Sequence, residues 1–146
     1  MSTLERAISI AVGAHGGQRD KGGAPYILHP LRLMFRVNTE DERIVAVLHD
    51  VVEDSHWTLE LLRMEGFSES VIRGIDSVTR RGKKPNQEPY EDFVLRAGRD
   101  PIGRTVKLAD LEDNSDFGRI ANPTDDDRKR VDKYRRAIEL LRGQVR

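Results

Sequence analysis

Apolar residues recur along this chain at intervals of three and four, and no run alternates with period two over a strand's length. The pattern therefore predicts helices throughout. Leu4, Ala7, Ile8, Ala11 and Val12 mark the first, over residues 3–14, with Ser2 or Thr3 as its cap. "HGGQRDKGGAPYILHP" is dense in glycine and reads as a loop, after which Pro30 suits the first turn of a helix reaching Val37. Thr39 caps the next, over residues 40–54, and "TEDE" places acids where the helix dipole favours them. Thr58 and Gly66 bracket a short helix, Ser68 caps another, and "RGKKPNQEP" is a polar loop. Helices over residues 90–97 and 100–116 follow. A last one starts at Thr124, carries Asp125, Asp126 and Asp127 in its first turn, and ends among Arg142 and Arg146. The expectation is an all-α fold, one compact bundle of roughly eight helices forming a single domain over residues 1–146.

Composition narrows the class without naming a partner. At 146 residues, 34 % charged and 37 % apolar, the chain is long enough for one hydrophobic core and too apolar for disorder. Lysine plus arginine equals aspartate plus glutamate at 25 each, and no helix clusters bases for a groove, so nucleic acid is not an expected partner. The absence of cysteine excludes disulfides, thiolate metal sites and cysteine nucleophiles. No segment approaches the ~18 apolar residues of a membrane helix. The start of the chain does not resemble a signal peptide, so the expected location is cytoplasmic.

Two stretches interrupt the apolar pattern with costly residues. In "VLHDVVED", Asp50 and Asp54 lie one helical turn apart, as do His49 and Glu53, beside Val45, Ala46, Val47, Leu48, Val51 and Val52. In "VKLADLEDN", Asp110 and Asn114 are again one turn apart, with Lys107 one turn before Asp110. Burying Asp50 and Asp110 without a partner is expensive. A divalent cation removes that cost, and histidine with aspartates suits Mn, Fe or Zn with positions left for water. Glu53 and Asp54 then stand where a general base or acid belongs.

The order of "AHGGQRDKGGAPYILHP", "VLHDVVED", "VTR" and "VKLADLEDN" resembles the HD-domain hydrolases of the RelA/SpoT type, and among them the small stand-alone alarmone hydrolases. The resemblance runs from about Ala7 to Asp116. It implies an HD-domain helical fold, with His29, His49, Asp50 and Asp110 as ligands of one metal, typically Mn²⁺. Glu53 and Asp54 take the water-activating and proton-transfer roles, in either order, and Asn114 lines the site. His15 supports the site as a packed, hydrogen-bonded residue. The implied reaction is removal of the 3′-pyrophosphate from (p)ppGpp, giving GDP or GTP and pyrophosphate. The same chemistry on (p)ppApp, NADPH or another nucleotide is the alternative, beside a nucleotide-binding module without turnover. One departure bears on the base. Long members carry an Arg–Lys pair nine and eight residues before the ligand histidine, where this chain has Asp20 and Lys21, with the arginine displaced to Arg19. The chain also ends near where a synthetase domain would begin, which suggests hydrolase only.

A substrate with two diphosphates needs cations. Arg19, Lys21, Arg80, Lys83, Lys84, Arg104 and Lys107 are the candidates, Lys107 foremost because it shares the face of Asp110. Tyr90 at helical spacing with Phe93 and Val94 fits the core better than a base platform. "TDDDRKR" reads as dipole stabilisation rather than a second metal site. Tyr134, Ala137, Ile138 and Leu141 form a stripe that packs against the body or a second subunit, so a homo-oligomer stays open.

Overall fold

Side-chain oxygens of Thr3, Thr39, Thr58, Ser68, Asp100 and Thr124 each accept an amide three residues on, and each starts a helix. Such a cap contributes about 1 kcal/mol. At Thr39 and Thr124 the third helical residue, Glu42 or Asp127, bonds back to the cap amide and closes a capping box. The computed structural model describes residues 2–144, and Arg146 lies outside them. The helices are α1 (Leu4–His15), α2 (Leu28–Arg36), α3 (Glu40–Leu48), α4 (Val51–Asp54), α5 (Leu59–Met64), α6 (Glu69–Ser77), α7 (Tyr90–Ala97), α8 (Pro101–Asn114) and α9 (Asp125–Gly143). A 3-10 turn spans Phe117–Arg119. Among the described residues there is no strand, only an isolated bridge between Arg19 and Pro25 in the glycine-rich loop.

Among the described residues the eight expected helices become nine, because the one predicted over residues 40–54 breaks at His49 and Asp50. In an unbroken helix the Ala46 carbonyl would accept the Asp50 amide. Here it accepts the His49 ring at 2.7 Å and the His49 amide at 3.5 Å, and Asp50 turns to φ −108°, ψ 1°. A side chain has taken over a backbone acceptor, and α4 starts afresh.

Helix α3 is the axis of the bundle. Its run from Ile44 to Leu48 is buried on every side, against α1, α2, α6 and α8, as befits a helix apolar all round. Gly103 of α8 allows close approach to α6: a Cβ there would collide with the Ser77 side chain. This sets Asp110, two turns further along α8, beside the end of α3. A smaller apolar cluster of Val94, Leu111, Ala137, Ile138 and Leu141 seats α9 on α7 and α8. The stripe on the last helix thus packs against the body. Among the described residues no helix is long and apolar enough to cross a membrane.

Candidate metal centre and active site

Three elements that are remote in sequence bring their polar groups to one buried point. His29 comes from the first turn of α2, His49 from the break after α3, and Asp110 from α8. All three are buried, and one ligand atom from each lies within 4.8 Å of the others. The orientation of both imidazoles is fixed from behind. Nδ1 of His49 donates to the Ala46 carbonyl at 2.7 Å, and Nδ1 of His29 donates to Asp113 at 2.6 Å. Each neutral ring therefore turns the lone pair of Nε2 inward. Nε2 of His29 is 2.9 Å from Asp110 Oδ1, and Nε2 of His49 is 3.5 Å from the same oxygen.

Lone pairs facing a carboxylate in a dry site repel unless a cation or protons lie between them. Nε2 of His49 is buried with no hydrogen-bond partner, which is what a missing ligand leaves behind. The donor set, two imidazole nitrogens and a carboxylate, fits a divalent cation. Without one, protons take its place. Burial alone would lower both histidine pKa values, but the surrounding carboxylates more than offset it and raise His29 and His49 above the ordinary range.

Asp50 stands beside this trio rather than within it. Its Oδ2 is 3.2 Å from His49 Nε2 and also accepts the Tyr26 hydroxyl. Burial would push its carboxyl up, yet the His49 charge holds it below its usual value. Tyr26 lies between the rings of His15 and His29, at 4.8 and 5.6 Å. Asp110 is shared by several partners. Its Oδ1 accepts Asn114 Nδ2 at 2.9 Å and its Oδ2 pairs with Lys107 Nζ at 3.2 Å. Burial opposes its charge, but Lys107 and the two histidines keep its pKa well down.

Glu53 and Asp54 separate. Glu53 accepts the Arg80 amide at 2.6 Å and lines a cleft of about 320 Å³ with His29, Asp50, Asp110 and Asn114. Asp54 is absent from that lining, and the charges acting on it are those of Asp50, His15 and His49. Desolvation first, and then the Asp50 charge, raise both carboxyls above their ordinary values. A carboxyl raised in this way is the kind of group that serves as a general acid or base. His15 is packed and bonded to Gln18 at 2.9 Å as expected, but its Nε2 is buried without a partner.

The cations divide between two adjoining hollows. The metal-side cleft carries Arg80, Lys107 and Lys133 around Tyr90. Lys133 Nζ lies 3.9 Å from the Tyr90 ring centroid, and Arg80 stands 5.4 Å from it. Desolvation and the neighbouring charges of Arg80, Lys107 and Lys84 lower the Lys133 pKa. The second hollow, about 360 Å³, shares Tyr26, His29, Asn114 and Tyr134 with the first. Arg19 and Lys21 line it together with Arg32, Arg119 and Arg130. Gly22 packs so closely on the Arg119 carbonyl that no Cβ would fit, which draws the glycine-rich loop over this hollow. Asp20 organises the same loop by accepting the amides of Gly22 and Ala24, each at 2.9 Å.

Arg104 is a correction among the expected phosphate binders. Its guanidinium bonds the Leu141 carbonyl and Gln144 at the end of α9, outside both hollows. Lys83 is exposed in the loop before α7 and lines neither hollow, and Lys84 reaches the site only as a neighbouring charge on Lys133. The sequence reading had no role for Tyr26, Arg32, Asp113 or Lys133. Asp113 alone left a signal, an acid one turn after Asp110 on the same helix face.

No protein-family model matches the chain. It is 37 % identical over 119 residues to a guanosine-3′,5′-bis(diphosphate) 3′-pyrophosphohydrolase of Aquifex aeolicus, covering 76 % of this chain and 17 % of that one. It is 31 % identical over 150 positions to a probable GTP pyrophosphokinase of Mycobacterium leprae, covering 97 % and 18 %. Over the aligned stretch the chain is similar to enzymes of the RelA/SpoT type. It spans under a fifth of the length of those two curated relatives. A solved structure described as a metazoan ortholog of SpoT that hydrolyses ppGpp superposes with a TM-score of 0.78 at 22 % identity, over 98 % of this chain and 87 % of that one. The HD-domain architecture is therefore shared along the described length, and the His–Asp pair that names it sits at the break after α3.

Proposed function

We propose that this chain is a Mn²⁺-dependent, cytoplasmic pyrophosphohydrolase that removes the 3′-pyrophosphate of guanosine alarmones, yielding GDP or GTP. The observation that carries the reading is the convergence of His29 Nε2, the unpartnered His49 Nε2 and Asp110 Oδ1 at the floor of a cleft rimmed by cations. The names of several relatives, guanosine-3′,5′-bis(diphosphate) 3′-pyrophosphohydrolase, supply the substrate class.

His29, His49 and Asp110 would hold the metal, with Asp50 beside them. A divalent cation bound there supplies Lewis acidity toward a phosphate oxygen and lowers the pKa of water. The residues do the remainder. Glu53, lining the cleft, is placed to take a proton from the attacking water. The bond from phosphorus to the 3′-oxygen breaks, the leaving oxygen takes up a proton, and pyrophosphate departs. Asp54, with its raised carboxyl near Asp50 and His15, serves as the proton reserve behind that exchange. Arg80, Lys107 and Lys133 neutralise the transferred phosphates. Arg19 and Lys21, in the adjoining hollow, face the nucleoside and its 5′-phosphates, and Asn114 holds Asp110.

One observation favours a second substrate. Asp20 is occupied in the loop's own hydrogen bonds, and Arg19 donates to the Gly23 carbonyl at 3.3 Å. The arginine contact that would select guanine is thereby weakened, so adenosine alarmones are the nearest alternative. The test is hydrolysis of ppGpp and ppApp by metal-stripped protein, with and without Mn²⁺, beside Asp110→Ala. Mn²⁺-dependent release of pyrophosphate that the variant lacks is the expected result. No release from either nucleotide by Mn²⁺-loaded protein would refute the reading.

A further inference from the structure

Asp113 is the most deeply buried acid at the site, at 0 % exposure, and the proposed chemistry gives it no task. A buried carboxylate is tolerated only when it is paired and hydrogen-bonded. Asp113 has an unusually full set of partners for a group off the reaction path. Arg32 clasps both of its oxygens, Nε to Oδ1 and Nη2 to Oδ2, each at 2.9 Å. Arg119 reaches Oδ2 at 3.4 Å and the Asp113 carbonyl at 2.9 Å. The shortest contact of all is from His29 Nδ1 to Oδ2, at 2.6 Å.

We propose that Asp113 is the positioning residue of the metal centre: it holds the Nδ1 proton of His29, and thereby presents Nε2 to the cation. Arg32 and Arg119 in turn offset the charge of the buried carboxylate, while the orientation of His29 is set by the carboxylate itself, which Arg119 also reaches. A carboxylate behind a ligating histidine fixes its tautomer and makes it a stronger donor. The second histidine provides an internal contrast. Nδ1 of His49 rests on the neutral Ala46 carbonyl, so His49 is oriented in the same way without a charge behind it. Asp113 therefore acts on one ligand of the pair.

The rival account is that Asp113 merely ties α2, α8 and the turn at Phe117–Arg119 together through its arginines. Three measurements separate the two. The first uses the unaltered protein loaded with diamagnetic Zn²⁺. Nitrogen shifts should show His29 protonated at Nδ1, and a ring protonated at Nε2 would overturn the inference even if no variant folds. The second is Mn²⁺ affinity by calorimetry in the absence of nucleotide. Asp113→Asn should weaken binding by about 10- to 100-fold. The third is the same titration on Arg32→Met, which cuts the tie between helices but leaves the carboxylate on His29. That variant should lose thermal stability as Asp113→Asn does while its Mn²⁺ affinity changes less than about threefold. Wild-type affinity in Asp113→Asn, or equal losses of affinity in both variants, would refute a positioning role. The inference rests on the metal centre proposed above and not on the substrate. Protein that binds Mn²⁺ but leaves ppGpp intact would refute the activity and leave Asp113 its role.

Discussion

Two runs in this chain each carry three acids and have opposite fates. Residues 49–54, His-Asp-Val-Val-Glu-Asp, lie where α3 breaks, and residues 124–130, Thr-Asp-Asp-Asp-Arg-Lys-Arg, begin α9. In the second run Asp125 and Asp126 are exposed, and Asp127 bonds the Thr124 amide and Arg130. Its charges are met by a helix dipole and by bases within the same turn. In the first run no base lies nearby in sequence. The partners are Tyr26, His29, Arg80 and Asp110, all from other elements, and the His49 ring is left with an unpaired nitrogen. Acids that settle their own charge locally are structural. Acids that depend on distant elements, and still leave a buried atom unsatisfied, mark a place for a ligand.

That contrast can be pressed experimentally, beginning with the largest effect. Glu53→Gln should lower turnover of ppGpp by about 10²- to 10⁴-fold, the usual scale for a general acid or base. Mn²⁺ affinity should stay within about threefold, since Glu53 touches none of the three ligands. Steady-state kinetics beside calorimetry would show this, and a matching loss of metal binding would make Glu53 a ligand instead. Asp126→Asn should leave both quantities unchanged.

The pH response comes next. His29 and His49 have raised pKa values in the metal-free protein, so their protons add stability below roughly pH 6.5, the unfolded value. That stability is lost as pH rises through the raised values. Metal-free protein should therefore melt at lower temperature as pH climbs from about 6.5, while apparent Mn²⁺ affinity grows over the same window as protons leave the site. Thermal melts at a series of pH values, with and without Mn²⁺, would show the two trends diverge. Parallel trends would mean that the histidines do not hold the metal.

Lys133→Ala should raise the KM for ppGpp several-fold and flatten its dependence on ionic strength, with kcat within about twofold, because it removes a phosphate-facing charge from a cleft that keeps its acids. Smallest of all, Thr124→Ala should cost about 1 kcal/mol in urea unfolding and nothing in turnover.

The helix starts were legible because caps are local: Thr39, Thr58, Ser68 and Thr124 each act within three residues. The chemistry of "VLHDVVED" was legible because buried acids are costly wherever they fall. The break inside that stretch was not. Val47, Leu48, Val51 and Val52 keep helical spacing across it, and nothing in a hydrophobic period reveals that a histidine ring has claimed a backbone carbonyl. Lys133 was hidden for a different reason. It belongs to a helix that reads as packing, and it becomes a site residue only because the Val94, Leu111 and Leu141 cluster seats α9 so that its ammonium stands over Tyr90. Arg104 erred the other way, since its position on α8 near Lys107 gave no sign that the end of α9 would claim it.

The bond from the His49 ring to the Ala46 carbonyl makes this residue a hinge pin as well as a donor. Replacing it with alanine would return that carbonyl to the Asp50 amide, and α3 would run on into α4 as one rod. Asp50, Glu53 and Asp54 would then be rotated out of register with Asp110. His49→Ala should show a small gain of helical signal by circular dichroism together with its loss of activity. Its phenotype would combine a deleted ligand with a straightened backbone, whereas Asp110→Ala, inside an unbroken helix, would delete a ligand and release Lys107 and Asn114 without moving the backbone.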